Sequence, residues 1–506
     1  MLIRSFLLLV GLLLSAQGYA TEYVVKHKYS GPAIFSQSVG IQVADVYDRG
    51  QLTKIKIDPR YEVEVLAELV SDPSIEYVVK NFQFYAIKNP PITEQALRKQ
   101  WAIDKVNAQE AWGKARHRGS KNVVVAVIDT GVDYRHESLS PNMVPGYDFK
   151  DKDNDPMDET GGQNPGHGTH CAGIVGATGL IDGGVIGMSP TVSIMPLRFL
   201  GANGGGDLMD GVRAIDYAIE KKVDIISASW GASVSPQQAQ PIIDAVKRAD
   251  DAGIIFVVAA ANDGKSNDRY NMYPANVNTP NLISVAASNS SDGKPSWSNY
   301  GKALVSLAAP GEGIMSTLPG RYGELSGTSM ATPLVAGLAA LLKAQDSSLT
   351  GAQVKAVLQA TGAKVNIETN CNCRVDAAKA IDTLIAKDLV VVPNAMTVEP
   401  GNSQQFSALY ASGSLTYKSS NPSVATIDAN GLLKAVSEGS TQVSVTDASG
   451  RTATSLEIRI AKINSGGPGG PGGPGNPGDP GQCPIPDPQT CETLCGISPN
   501  LPWCNQ

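Results

Sequence analysis

Apolar and polar residues alternate along this chain in several distinct rhythms, and each predicts a different kind of structure. The first segment, MLIRSFLLLVGLLLSAQGYA, joins one arginine to an apolar run and a small-residue end. That pattern predicts a secretory leader over 1–20, cut after Ala20, and the run is short for a membrane span. From 21 to 95, KIKID and YEVEVL alternate with the period of strands. LAELVSD reads as a short helix, and SIEYVVKNFQFYAI returns to alternation, so a small α+β unit is expected. From 96 to 386, short apolar runs (VVVAVIDTG, VSIMPLRFLG, DIISASWG, IIFVVAAAND, LISVAAS) are separated by segments of helical spacing such as LMDGVRAIDYAIEKK and PIIDAVKRADDAG. Runs apolar on both faces fit a buried parallel sheet, and the succession predicts an α/β domain, mostly parallel, with helices on both faces.

The rhythm changes again beyond the α/β domain. Over 389–462 the strands become short, alternating and frequently interrupted by turn residues, which predicts a small β-sandwich. The stretch 463–482 is dominated by Gly and Pro, cannot bury a core, and reads as a linker. The tail 483–506 holds four of the seven cysteines, which implies two disulfides with three pairings open. A net charge of −7 and the lack of a basic stripe exclude a typical nucleic-acid binder. No later run is long enough to cross a bilayer, so an exported protein is expected, in which disulfides are permitted. A monomer is expected.

Three residues at the ends of predicted elements carry candidate chemistry. Asp129 ends the strand VVVAVI, where open α/β sheets place their working residues. His167 lies where the glycines of NPGHGTHCAG lead into a small-residue helix, and Ser329 follows GT at the mouth of the apolar helix SMATPLVAGLAALL. Each alone has an ordinary explanation: a turn, a structural imidazole, an N-cap. Together they supply what acyl transfer needs. A serine hydroxyl requires a base to take its proton, the base requires a carboxylate to hold its tautomer, and a helix N-terminus offers N–H groups to an oxyanion. The context GTSMA is not the G-x-S-x-G elbow of lipases and esterases.

VVVAVIDTGVD, GHGTHCAG and GTSMATPLVAG resemble the Asp, His and Ser motifs of the subtilisin-like serine proteases (subtilases), in their thermitase- and proteinase K-like branch. The resemblance implies that Asp129 orients, His167 serves as general base and then acid, and Ser329 attacks a peptide carbonyl. It leaves His170 and Cys171 structural. Asn262, in FVVAAANDG, matches the family's side-chain donor to the oxyanion. Ala261 stands where relatives usually have Gly, so its methyl would narrow the pocket for the residue before the scissile bond. Gly204, Gly205 and Gly206 on one side, and Ser229, Trp230 and Gly231 on the other, match the segments that flank a bound peptide. A polypeptide substrate held as an added β-strand would follow.

Further expectations come with the resemblance. YDFKDKDNDPMDE gathers Asp148, Asp151, Asp153, Asp155 and Asp158 in one loop, and oxygen ligands at alternate positions suit Ca²⁺. A structural calcium on Asp148, Asp151, Asp153 and Asp155 is therefore expected. Residues 21–95 resemble the family's propeptide, a folding aid that blocks the cleft until self-cleavage between Tyr85 and Trp101. The sandwich resembles bacterial immunoglobulin-like domains, which points to a bacterial exported protein and to a possible surface or polymer target. A rival of another class is a surface-binding adhesin whose protease-like domain is only a scaffold. Cys371 and Cys373 are expected to pair locally or with each other.

Overall fold

A computed structural model describes residues 21–29, 39–86, 100–181 and 184–463. The expected leader, the linker from 464 onward and the cysteine-rich tail lie outside the described residues. The described residues form two compact units, 21–81 and 82–463.

In the first unit, Thr21–His27 pairs antiparallel with Leu52–Ile57 and Ile75–Lys80, and Ile41–Tyr47 extends the sheet beyond Leu52–Ile57. Tyr23, Val25, Ile55, Ile57 and Val78 share its core with Val65, Leu66 and Leu69 of a helix, Glu62–Ser71. That helix corrects one expectation: YEVEVL is not a strand. Val65, Leu66 and Leu69 recur with helical spacing, and Glu62 and Glu64 favour the positive N-terminal end. The unit stops at Asn81, so the strand Gln83–Ala86, expected to belong with it, is part of the second unit.

The second unit is built on a nine-stranded sheet. Its order is Ala363–Lys364, Cys373–Arg374, Leu307–Pro310, Leu282–Ser288, Ile255–Ala259, Ile225–Ala228, Val124–Asp129, Ser193–Arg198 and Tyr147–Asp148. All neighbours are parallel except the first pair. Every residue of Ser193–Arg198, Ile225–Ala228, Ile255–Ala259, Leu282–Ser288 and Leu307–Pro310 is buried. This explains why their sequences are apolar runs rather than alternations. The long helix Thr328–Gln345 packs along the last four of these strands and Val124–Asp129, and against the helix His167–Gly176. Cys371 and Cys373 form a disulfide.

Beyond the last helix of the α/β domain, Ala377–Ala386, eleven short strands from Val390–Val392 to Ile458–Ile460 surround a core that includes Phe406, Leu433, Val443, Val445 and Ile458. This module is packed onto its neighbour. Val390, Val392, Ala395 and Leu409 belong to the core of the α/β domain, and the Ala395 N–H donates to Gln359 Oε1 at 3.2 Å. Asp346, just past the long helix, accepts from Ser348 Oγ at 2.6 Å, from Tyr410 of the sandwich at 2.6 Å and from Lys387 at 3.3 Å. No described helix is long and apolar enough to cross a membrane.

The hydroxyl of Ser348, then that of Tyr410, holds the Asp346 carboxyl well below its ordinary range despite some opposing desolvation. A depressed carboxylate stabilises the fold above its unfolded pKa, and the contribution is lost as pH falls through the folded value. Asp346→Asn should therefore cost about 1–2 kcal/mol at neutral pH. The difference from wild type should close in strong acid, as read from denaturant unfolding in a Ser329→Ala background.

Candidate active site

Asp129 is the last residue of Val124–Asp129 and sits at the carboxyl end of the parallel sheet. His167 is the first residue of its helix, so the strand end and the helix start face each other. The His167 Nδ1–H donates to Asp129 Oδ1 at 2.7 Å, and the Thr130 N–H donates to the same oxygen at 2.8 Å. The local sequence makes this approach possible. Gly166 has φ +104, and a Cβ there would lie 2.1 Å from Pro319; a Cβ on Gly168 would lie 2.1 Å from the Gly131 carbonyl. Asn164 Oδ1 accepts the N–H groups of Gly166 and His167 at 2.9 and 2.8 Å, capping the helix in place of a side chain at Gly166.

Ser329 is not the cap of its helix. Gly327 holds that position, and Ser329 is the second helical residue, where a backbone N–H has no intrahelical acceptor. Its carbonyl accepts from Ser229 Oγ at 3.0 Å and from Cys171 Sγ at 3.4 Å. The Cys171 sulfur in turn lies within 4.8 Å of the ligand atoms of Asp129 and His167. Ser329 Oγ is 3.5 Å from the Ser229 carbonyl, while His167 Nε2 is buried and makes no hydrogen bond. The three residues are thus gathered at one place, all less than 3 % exposed (Asp129 1%, His167 2%, Ser329 0%).

Burial opposes protonation of His167, yet the charge and hydrogen bond of Asp129, with the charge of Asp158, outweigh it and raise its pKa. Burial pushes His170 down to about 3, and its Nε2 is engaged by the Gly323 carbonyl at 3.0 Å. Burial likewise drives the Cys171 thiol well above its usual range, so it is a neutral group beside the pair.

Asn262 accepts from the Thr328 N–H at 2.9 Å and from Thr328 Oγ1 at 3.0 Å, which fixes the orientation of its amide beside Ser329. Ala261 is buried with φ +94, a left-handed conformation that favours glycine. Gly205 and Gly206 lie on one side of the strand Gln83–Ala86, and Trp230 and Gly231 on the other, both antiparallel to it. Phe84 is opposite Gly206, Tyr85 is opposite both Gly205 and Gly231, and Ala86 is opposite Trp230. Gly204 forms the preceding turn with φ +75 and does not pair with that strand. Phe84 is fully buried edge-on against Phe199 and Trp230, with ring centroids 6.2 and 4.8 Å away. Phe199 and Phe84 were not among the residues singled out from sequence, because an aromatic in an apolar run reads as core.

The expected calcium ligands are not assembled. Arg198, at the end of the strand beside Asp129, donates to Asp148 Oδ2, to Asp151 Oδ2 at 2.7 Å and to Glu159 at 2.7 Å. The other oxygen of Asp148 accepts the N–H groups of Lys150 and Asp151 at 2.8 and 3.1 Å. Asp153 caps the Asp155 N–H at 2.9 Å, and Asp155 accepts from Tyr134 at 2.7 Å. Among the described residues no three of these carboxylates converge on one point. A guanidinium already neutralises the buried carboxylate, so this arrangement does not fit an oxygen shell for Ca²⁺. Asp158, grouped with this loop by sequence, turns instead into the protein behind Asp129 and His167.

A family model described as the Subtilase family matches residues 120–409, and one for a bacterial Ig-like domain (group 2) matches 386–458. Thermitase of Thermoactinomyces vulgaris is 37% identical over 286 residues, which is 56% of this chain and 96% of that protein. A thermophilic serine proteinase of Bacillus sp. (strain AK1) is 37% identical over 303 residues, 60% of this chain and 71% of the relative. The major intracellular serine protease of Bacillus subtilis (strain 168) is 39% identical over 248 residues, 48% and 75% of the two chains.

Two substitutions test this geometry in a Ser329→Ala background. Ala261→Gly should raise stability by about 1 kcal/mol, by relieving the left-handed conformation, and thermal unfolding will read it. Arg198→Ala should cost about 3–5 kcal/mol because it strands a buried carboxylate, and neither calcium nor a chelator should change that loss in the same assay.

Proposed function

This chain belongs to the subtilase family, and from that premise we propose that it is an exported serine endopeptidase made as a self-processing precursor. The observation that carries the reading is the strand Gln83–Ala86, held between Gly205–Asp207 and Trp230–Gly231 beside Ser329. It stands in for substrate: backbone pairing on both sides accepts any extended peptide, and the Phe84 pocket favours an aromatic or large apolar side chain at that position. The same strand makes residues ahead of the protease domain an intramolecular inhibitor until the chain is cut. The bond cut falls between Tyr85 and Trp101, a stretch of which 87–99 lie outside the described residues.

In this reading His167 Nε2 takes the Ser329 proton as Oγ attacks the scissile carbonyl. Asp129 keeps Nδ1 protonated and stabilises the imidazolium that forms. The developing oxyanion receives the Ser329 N–H and the Asn262 side-chain amide, whose orientation Thr328 fixes. His167 then gives its proton to the leaving amine. The acyl-enzyme on Ser329 is hydrolysed by water, with His167 again as base, and Oγ is restored. The Ig-like module, fixed to the protease domain by shared core and by Asp346, would in this reading hold the enzyme on a polymer or cell surface.

The test is the intact mass of purified precursor beside its Ser329→Ala variant. Wild type should lose the segment ahead of the protease domain, and the variant should keep everything after the leader. If both folded chains stay whole, the self-processing reading fails and the scaffold alternative gains.

A further inference from the structure

Resting on the protease reading above, we propose that Asp158 is a positioning residue for the Asp129–His167 pair: an ionised, buried carboxylate that ties the two residues together from behind and supplies the second negative charge acting on the imidazole.

Four hydrogen bonds converge on Asp158, which is 4% exposed. Thr130 Oγ1 and Asn164 Nδ2 donate to Oδ1 at 2.9 and 2.8 Å, and Thr169 donates to Oδ2 through its N–H at 2.9 Å and its hydroxyl at 2.6 Å. The donors bear on its protonation state. Thr130 Oγ1 accepts the Gly168 N–H and Thr169 Oγ1 accepts the Asp133 N–H, which leaves each hydroxyl hydrogen available to Asp158. The Asn164 amide and the Thr169 N–H can only donate. Two obligate donors and two hydroxyls in donating position therefore face the carboxyl, a set that favours its ionised form. Burial holds the Asp158 carboxyl above its ordinary pKa, and the bonds from Thr169, Asn164 and Thr130 oppose that rise.

Each partner is one step from the chemistry. Thr130 adjoins Asp129 and donates its N–H to that carboxylate. Asn164 caps the N–H of His167, and Thr169 lies two residues further along the His helix. Asp158 therefore joins the strand end to the helix start, and a loss of these bonds would free both to shift. A displacement of about 1 Å at reacting groups can cost on the order of 10²-fold in rate. Its charge also favours the protonated imidazole.

The other titratable groups on the packed elements do not supply this charge. His170 and Cys171 are neutral, and Arg198 is engaged by Asp148, Asp151 and Glu159. Asp133, Arg321, Tyr322 and Glu324 are at least partly open to solvent, which screens them, and Lys343 lies in the last turn of the Ser329 helix.

The experiment reads His167 directly, by NMR titration of histidine-labelled full chain carrying Ser329→Ala, with and without Asp158→Asn. The expected result is titration at lower pH in the Asp158→Asn chain; an unmoved titration in a folded chain overturns the proposal. If Asp158→Asn does not fold, Thr169→Val and Thr169→Ser decide. Valine should lower the His167 titration and serine should leave it near wild type, and equal behaviour of the two rejects the proposal. The readout needs no turnover, so failure of peptidase activity in the parent chain would sink the protease reading separately. In the active chain, Asp158→Asn should lower kcat by about 10- to 100-fold with little change in KM, and its acid limb should move to lower pH. A fall in kcat with an unmoved acid limb would leave only a packing role and reject the charge.

Discussion

A carboxylate and an imidazole buried against each other, Asp129 and His167 at 2.7 Å, form the constraint on which the site depends. An isolated charge at so dry a position would cost several kcal/mol, so the pair exists only because each member is the other's partner, with the Thr130 N–H as a further donor to the carboxylate. That requirement fixes the surrounding architecture. The carboxylate must end a strand whose neighbours carry the chain past it, and the imidazole must begin a helix that approaches without side chains in the way. The glycines at 166 and 168 are the physical form of that second condition.

The cleft follows from the same sheet. Its loops beyond Phe199 and Ala228 leave two short edges unpaired with each other, and an extended segment can complete both. Backbone pairing supplies adhesion without sequence preference, while in the proposed reading the buried ring of Phe84 marks where preference would enter. Generality and selectivity thus sit on different atoms of the same strand. Phe199 and Trp230 are the rings that Phe84 packs against.

Charge elsewhere is handled by the same rule of local neutralisation. Arg198 binds three carboxylates around the loop that looked, in sequence, like a cation site. At the other end of the unit, Asp346 draws the sandwich module and the α/β domain together through Tyr410 and Lys387. Both are side-chain solutions that join segments far apart in the chain.

The sequence by itself determined the parallel sheet with five of its strands, the helices that begin at His167, Leu208, Gln240 and Thr328, and the sandwich, and it marked three candidate residues for chemistry. Runs apolar on both faces, turn residues at fixed intervals and three distinctive motifs are local properties, and local properties are legible. YEVEVL misled because two glutamates between valines satisfy a strand period over a few residues as well as a helix period, and only packing of Val65, Leu66 and Leu69 on one face decides. Tertiary structure alone decided that Arg198 reaches Asp148, that Asp158 leaves its acidic neighbours for the interior, and that Gln83–Ala86 lies between Gly205–Asp207 and Trp230–Gly231. Each depends on a partner between 11 and more than 100 residues away, and no spacing within a motif records which distant group will arrive to satisfy a charge or an open edge.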